Sequence, residues 1–308
     1  MMIKTLIWNI RSVKTQQAFQ RVINLHREHA FFIVALMEPF QKTKHIQRYM
    51  RRLGMDNAYS NINGKIWLFL DRVVEWELLN DTEQHVTIKV YHKDIGKHII
   101  ITFIYAKCSS LERLELWDNL YNIANDMELP WVVGGDFNVI LSEEEKIGGL
   151  PVYPSEYEDF TFCVNSSGLI DLGYEESPFT WWNGRPNAEC IFKWLDRILV
   201  NLPFQNLFSS IEMEHLIRTG SDHAPLLMIC GENTTHLMFK QKLRRVKIAL
   251  SRWSKLTDGD IFKQLAIRED IVKIKEMLFE EEPINNRIIF QKAPTELKRY
   301  LTIEEQYW

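Results

Sequence analysis

Cysteine is scarce in this 308-residue chain: four thiols, Cys108, Cys163, Cys190 and Cys230, stand far apart. No CxxC pair is present, which argues against a zinc site, and the spacing does not make the dense framework of a disulfide scaffold. Reduced, mostly buried thiols are expected. Long apolar runs are missing too, and none approaches the roughly 20 residues that span a bilayer. The opening MMIKTLIWNIRS has a short apolar run without a small-residue cleavage site, so it reads as a first strand and not a signal peptide. A soluble, intracellular protein is expected, with no membrane partner. There is no excess of positive charge: 37 Lys and Arg stand against 41 Asp and Glu, a net −4. Any attraction to a polyanion must come from local patches. No GxxxxGK[ST] loop occurs, which disfavours a nucleotide cofactor bound in the P-loop manner. No GxSxG elbow, internal repeat or low-complexity tract occurs either.

What is present suits a large core. Hydrophobic residues make up 46% of the chain and ten are Trp. Up to about Cys230, strand-like and helix-like segments alternate. Strands are expected at Lys4 to Ile10, Phe31 to Met37, Lys65 to Leu70, Val73 to Leu79, Val86 to His92, His98 to Tyr105, Trp131 to Gly135, Phe192 to Val200 and Leu226 to Ile229. Helices are expected at Lys14 to His29, with Phe19, Val22, Ile23 and Leu25 facing the core, at Gln41 to Leu53 ended by Gly54, and at Leu111 to Met127. Ser155 and Glu158 suggest a capping box for a further helix that reaches Ser167 and stops at Gly168. In His98 to Tyr105 both faces carry apolar residues, the pattern of a strand buried on both sides. Hairpin-like runs beside strand–helix alternation predict an α/β (α+β) fold of two packed mixed sheets with helices outside.

After about Gly231 the pattern becomes long, charged and helical, with Leu243, Val246, Leu250, Trp253 and Leu256 at three- and four-residue steps. Two regions follow: a domain over 1–231 and a helical extension over 232–308. Between Lys240 and Lys255 the extension is basic and holds no acid. Such a segment reads as a solvated helix face or as a weak nucleic-acid contact.

Five segments put polar groups where strands end, the places where a rigid scaffold positions functional loops. They are Trp8-Asn9-Ile10, Met37-Glu38-Pro39, Gly134-Gly135-Asp136-Phe137-Asn138, Trp194-Leu195-Asp196-Arg197 and Ser221-Asp222-His223. Each has an ordinary reading alone. Asn9 could be a paired buried amide, Glu38 a cap, and the Gly134–Asn138 stretch an Asx turn. Asp196–Arg197 could be an ion pair, and Ser221 a helix cap. Taken together, the carboxylates Glu38, Asp136 and Asp222, two amides and a histidine make an oxygen-rich site. That donor set suits Mg²⁺, which binds through one or two carboxylates plus substrate phosphate, and lacks the His and Cys richness of zinc centres.

The order WN, E, IYA, GGDFN, FTW, LDR, SDH resembles the endonuclease/exonuclease/phosphatase superfamily over residues 3 to 230. KIWLF, GGDFNVIL, SPFTWWNGR, WLDRILVN and SDHAPLL are similar, more narrowly, to the apurinic-type endonuclease domain of plant LINE (non-LTR) retrotransposons. The tail segments KIALSRWSK, GDIF and EEQYW resemble the linker before reverse transcriptase. The resemblance implies a DNase I-like four-layer sandwich and a Mg²⁺-dependent (or Mn²⁺-dependent) endonuclease that leaves 3′-hydroxyl and 5′-phosphate ends on DNA. It further implies Glu38 as principal metal ligand with Asn9 and Asp222 beside it. His223 would face the phosphate, supported by Asp196, and Asp136 would orient or deprotonate water. Asn138 and Asn9 would bind phosphate oxygens, and Tyr105 would stand near the leaving group. Thr180 and Trp181 would lie on the DNA rim, with Ser221 supporting the His223 loop.

The chain ends at Trp308 without a reverse transcriptase, and the stretch from Cys230 to Phe239 is shorter than that family leads one to expect. A retrotransposon-derived fragment is therefore expected, nuclear insofar as its substrate is DNA. Two alternatives stand beside it. One is an inositol or lipid phosphatase of the same fold, toward which WLDRILV points weakly because Leu195 replaces the expected Cys. The other is a catalytically decayed relic that only binds nucleic acid.

Overall fold

The computed structural model describes residues 2–93, 95–174, 178–185 and 189–231. The helical extension expected over 232–308, with its basic segment Lys240 to Lys255, lies outside the described residues. Six strands form the first sheet in the spatial order β14 (Ser210–His215), β15 (Leu226–Gly231), β1 (Met2–Asn9), β2 (Ile33–Met37), β4 (Ile66–Leu70) and β3 (Asn57–Ser60). Six more form the second: β10 (Ile170–Asp171), β13 (Asp196–Val200), β8 (Trp131–Asp136), β7 (Lys97–Tyr105), β6 (His85–His92) and β5 (Val74–Asp81). Only β1–β2 in the first sheet and β7–β8 in the second pair in parallel, so both sheets are mixed. A small third sheet joins β11 (Trp181–Trp182), β12 (Phe192–Lys193) and β9 (Lys146–Ile147).

Strand alternation builds the layers. In β1, Ile7 belongs to the core between the two large sheets, together with Ala35, Leu68, Ile88, Ile101, Val132 and Ile198. Its neighbours Leu6 and Trp8 point the other way, onto Phe19 and Val22 of α1 (Gln16–His29) and Tyr49 of α2 (Ile46–Leu53). The second sheet repeats this arrangement. Ile99, Ile101 and Phe103 face inward, while Ile100 and Ile104 pack on Trp117 of α3 (Ser110–Asn125) and Phe160 of α4 (Glu158–Ser166). Both faces of the central strands are thus buried, which explains their unbroken apolar runs. The result is the four-layer sandwich of two mixed sheets flanked by helices. A fifth helix, α5 (Leu202–Leu207), starts on Asn201, whose side chain accepts the Phe204 N–H.

Several local expectations change. Ser155 does not cap a helix: Pro154–Glu156 forms a 3-10 turn in which the Glu156 carboxylate accepts the Tyr153 N–H at 3.0 Å, and α4 begins only at Glu158. The expected strand Phe192 to Val200 is broken at Trp194 and Leu195, because the chain passes there from the small sheet into the second large one. The first turn of the Gln41 to Leu53 segment is 3-10 (Thr43–His45). Gly54, at φ +78°, ends α2 as expected, its N–H bonded to the Met50 and Arg51 carbonyls. No disulfide joins the four cysteines; Cys163 and Cys230 are buried as expected, whereas Cys190 is half-buried and Cys108 exposed. No helix among the described residues is long and apolar enough to cross a membrane.

Candidate active site

Strand register sets three polar side chains in a row. Tyr105 is opposite Asp136 across β7 and β8, and Asp196 is opposite Asp136 across β13 and β8. The other sheet supplies Asn9 at the end of β1, beside Met37, with Glu38 immediately after β2. Two glycines let these strand ends close up. A Cβ on Gly134 would stand 2.7 Å from Ile7 Cδ1, and one on Gly135, at φ +150°, 2.0 Å from the Ile104 carbonyl oxygen. Across the gap that they permit, Asn9 Nδ2 donates to Asp136 Oδ2 at 2.8 Å, bonding one sheet to the other.

The Ser221–His223 loop is pinned onto this junction. Ser221 Oγ donates to the Asn9 carbonyl at 2.8 Å and accepts the His223 N–H at 3.1 Å. Trp8 Nε1 donates to the His223 carbonyl at 2.9 Å. The imidazole is buried, with Nδ1 2.8 Å from Asp196 Oδ2 and Nε2 3.9 Å from Asp136 Oδ2. Burial opposes charge on this ring, but the Asp196 and Asp136 carboxylates outweigh it and raise the His223 pKa. Burial, then repulsion from Asp196, raises the Asp136 carboxyl above the ordinary carboxylate range, against the pull of His223 and Asn9. Asp136 Oδ1 accepts the Asn138 N–H at 2.9 Å, and Asn138 Nδ2 donates to the Ala106 carbonyl at 2.7 Å. Beside Asn138 opens a polar cleft of about 350 Å³ lined in part by Arg113, Ser155, Glu156 and Lys193.

Glu38 is buried at the other side of Tyr105, whose hydroxyl donates to Glu38 Oε1 at 2.5 Å. Burial and this bond to a carboxylate raise the phenol pKa. Glu38 Oε2 accepts from Arg11 Nη1 at 3.0 Å, and Arg11 Nε lies 3.3 Å from Asp222 Oδ1. Burial weakens the charge on Arg11, but Asp222 and Glu38 more than restore it. Asp222 Oδ2 also accepts the Trp181 indole N–H at 3.0 Å, and Asn9 Oδ1 accepts the Arg11 backbone N–H at 3.2 Å. Arg11, Glu38, Phe40 and Asn138 all have left-handed backbone, at φ +54°, +50°, +43° and +51°. Each such non-glycine residue costs on the order of 1–2 kcal/mol, and strain of this kind gathers at sites that the surrounding structure holds in place.

The structure therefore brings Asn9, Glu38, Tyr105, Asp136, Asn138, Asp196, Ser221, Asp222 and His223 to one junction. Trp181 reaches it half-buried, tied to Asp222. Thr180 does not stand on a rim: it is fully buried, and its hydroxyl accepts the Leu195 and Asp196 N–H groups at 3.0 and 2.9 Å. Burial keeps water from those two amides, so the threonine oxygen takes its place. Nor do Asp196 and Arg197 pair with each other. Asp196 faces His223, while the buried Arg197 turns to Glu145 and, at 2.8 Å, to Asp171. The residue that sequence reasoning missed is Arg11. A cluster of carboxylates demands a counter-charge, and the nearest cation along the chain lies two positions after Asn9.

A hard divalent cation fits this donor set. The ligand atoms of Asp136, Asp196 and His223 lie within 4.8 Å of one another. Glu38 and Asp222 already share a cation in the form of the Arg11 guanidinium. Carboxylate and amide oxygens are the ligands that Mg²⁺ and related ions take.

Comparison with known proteins agrees with this geometry. Curated protein sequences give no match. Among solved structures, the endonuclease domain of TRAS1, a telomere-specific non-LTR retrotransposon, is similar at 12% identity and a TM-score of 0.57, over 76% of this chain and 100% of that one. An AP endonuclease from Archaeoglobus fulgidus is similar at 16% identity and 0.57, over 74% of this chain and 99% of that one. The 3′ phosphatase NExo from Neisseria, solved with a product DNA hairpin, is similar at 16% identity and 0.53, over 73% and 98%. At these identities the likeness establishes the fold. The sequence itself matches the family described as Endonuclease/Exonuclease/phosphatase over residues 6–223. That span holds every residue of the junction from Asn9 to His223, and the chain belongs to this family of phosphodiester hydrolases, which generally use divalent metals.

Proposed function

We propose that residues 1–231 form a Mg²⁺-dependent DNA endonuclease that leaves 3′-hydroxyl and 5′-phosphate ends, followed by an appended linker-like segment over 232–308. One observation carries this reading: Asn9, Glu38, Asp136 and Asp196, from the ends of four strands, and His223, from a loop, meet in one buried polar cluster. The TRAS1 likeness supports a retrotransposon origin and, with DNA as substrate, a nuclear site of action.

Glu38, with Asn9 and Asp222, would hold Mg²⁺, which when bound stabilises charge on the phosphoryl and leaving oxygens. His223 keeps its ring orientation and its proton because Nδ1 faces Asp196, and this leaves Nε2–H to donate to a phosphoryl oxygen. Asp136, with its raised pKa, would accept the proton of a water attacking in line with the leaving oxygen. The second Nδ2 hydrogen of Asn9 and the Asn138 amide orient the phosphate. Tyr105, held by Glu38, stands beside the leaving oxygen. Trp181 offers a ring face to the nucleic acid, and Ser221 holds the loop that presents His223.

The test is a supercoiled plasmid incubated with purified protein and Mg²⁺. Asp136→Ala and His223→Ala should each slow nicking by at least about 10²-fold, and ligase alone should reseal the nick if the ends are as stated. Nicking unaltered in both variants overturns the assignment. Phosphate release from inositol phosphates without any nicking would move the substrate elsewhere.

A further inference from the structure

We propose that Arg11 is an internal counter-ion for Glu38 and Asp222, holding the two carboxylates together when no metal is bound, and that a divalent cation entering between them must displace its guanidinium. This inference rests on the metal-dependent reading above.

The contacts are specific. Nη1 meets Glu38 Oε2 at 3.0 Å and Nε meets Asp222 Oδ1 at 3.3 Å, so one planar group bridges both acids. The remaining oxygens are already engaged, Glu38 Oε1 by the Tyr105 hydroxyl and Asp222 Oδ2 by the Trp181 indole. Each carboxylate thus turns one oxygen toward the same cation position, and a guanidinium fills it. The backbone enforces this placement. Arg11 stands two positions after β1 in a left-handed conformation, and its N–H is bonded to Asn9 Oδ1. Asn9 therefore anchors Asp136 with one end of its amide and Arg11 with the other.

Guanidinium does not lose its proton, so it vacates the position only by moving. It can move: the Arg11 side chain is 50% exposed, whereas that of Glu38 is 5% exposed. Glu38 is the enclosed acid, Asp222 is 29% exposed but tied by the Trp181 indole, and the guanidinium is the most exposed of the three groups. Metal and guanidinium compete for the same oxygens, and the threshold concentration for metal rises accordingly. The apo protein in turn escapes the cost of two facing carboxylates without a counter-charge.

The probe is Mn²⁺ alone, titrated into the full chain without DNA, with free Mn²⁺ read by electron paramagnetic resonance. Arg11→Met should bind Mn²⁺ about tenfold more tightly than wild type, the scale of two partly exposed ion pairs. Arg11→Lys, which faces one carboxylate at a time, should fall between. In EDTA, Arg11→Met should melt below wild type, and Mn²⁺ should raise its Tm by the larger amount. Equal or weaker Mn²⁺ binding by a folded Arg11→Met overturns the inference. If that variant does not fold, Arg11→Lys decides, and wild-type affinity there overturns it. Unaltered affinities in a protein that nicks plasmid sink this inference alone. Failure of every variant to bind Mn²⁺, together with absence of nicking, sinks the nuclease reading as well.

Discussion

Asp196 Oδ2 lies 2.8 Å from His223 Nδ1, although 27 residues separate the two in sequence and one sits on a strand and the other on a loop. The pair makes the imidazole a better cation and leaves Nε2 facing Asp136, 3.9 Å away. Asp196→Asn keeps the shape but removes the charge. It should lower plasmid nicking by about 10²-fold or more while leaving the chain folded. It should also lower the His223 pKa, as followed by the ring proton shifts in NMR. An unaltered His223 titration in Asp196→Asn would show that the carboxylate does not govern the ring.

The two shifts predict the shape of a pH profile. Asp136 acts as a base only when ionised, so the rate climbs as pH rises through its elevated pKa. His223 acts only while protonated, so the rate falls as pH rises through its own elevated pKa. A bell is expected with its acid limb above the ordinary carboxylate value of about 4 and its alkaline limb above the ordinary imidazole value of about 6.5. The limbs belong to the coupled cluster and not to single residues. An Asp196→Asn protein should move the alkaline limb down, and a limb that stays in place counts against the assignment.

Arg197, adjacent to Asp196 on β13, is fully buried and pairs with Glu145 and Asp171. Its ring-facing side lies 4.3 Å from the Trp194 ring centroid. Arg197→Ala would leave the buried Glu145 without its partner. The expected loss is about 3–5 kcal/mol in urea unfolding. Arg197→Met combined with Glu145→Gln and Asp171→Asn should lose much less, since no uncompensated charge remains. Similar losses in the two proteins would show that packing, and not charge, dominates here.

The long elements were legible in sequence because both faces of the central strands are apolar and α1 carries Phe19, Val22, Ile23 and Leu25 at helical spacing. Some edge elements were not, although the edge strand β5 was expected at Val73 to Leu79. In β3, Asn-Ala-Tyr-Ser, every position is half-buried, and β14 mixes Glu212 and Glu214 into its alternation, as strands at sheet edges do. Helix α5 did carry a signal, Asn201 followed by Leu202-Pro203, in which a capping side chain precedes an early proline. Strand ends marked the site well, because a polar residue that closes an apolar run is visible in one dimension. The role of Arg11 was not visible, since it depends on Glu38 and Asp222 approaching from β2 and from the loop before β15.

Thr180 shows how a residue can matter to the site from behind it. Its oxygen receives the N–H groups of Leu195 and Asp196, and its own backbone N–H and carbonyl bond to the Lys193 carbonyl and the Ala224 N–H. The threonine thus fixes the break between β12 and β13 and, through Ala224, the residue after His223. Thr180→Val is nearly isosteric but leaves two buried amides unsatisfied, at about 1–3 kcal/mol each. Urea unfolding should register that loss. Because the freed amides flank Asp196, kcat should fall more than KM rises. Thr180→Ser restores the acceptor and should recover most of the activity. A Thr180→Val protein with wild-type kcat and reduced DNA affinity would place Thr180 against the nucleic acid after all.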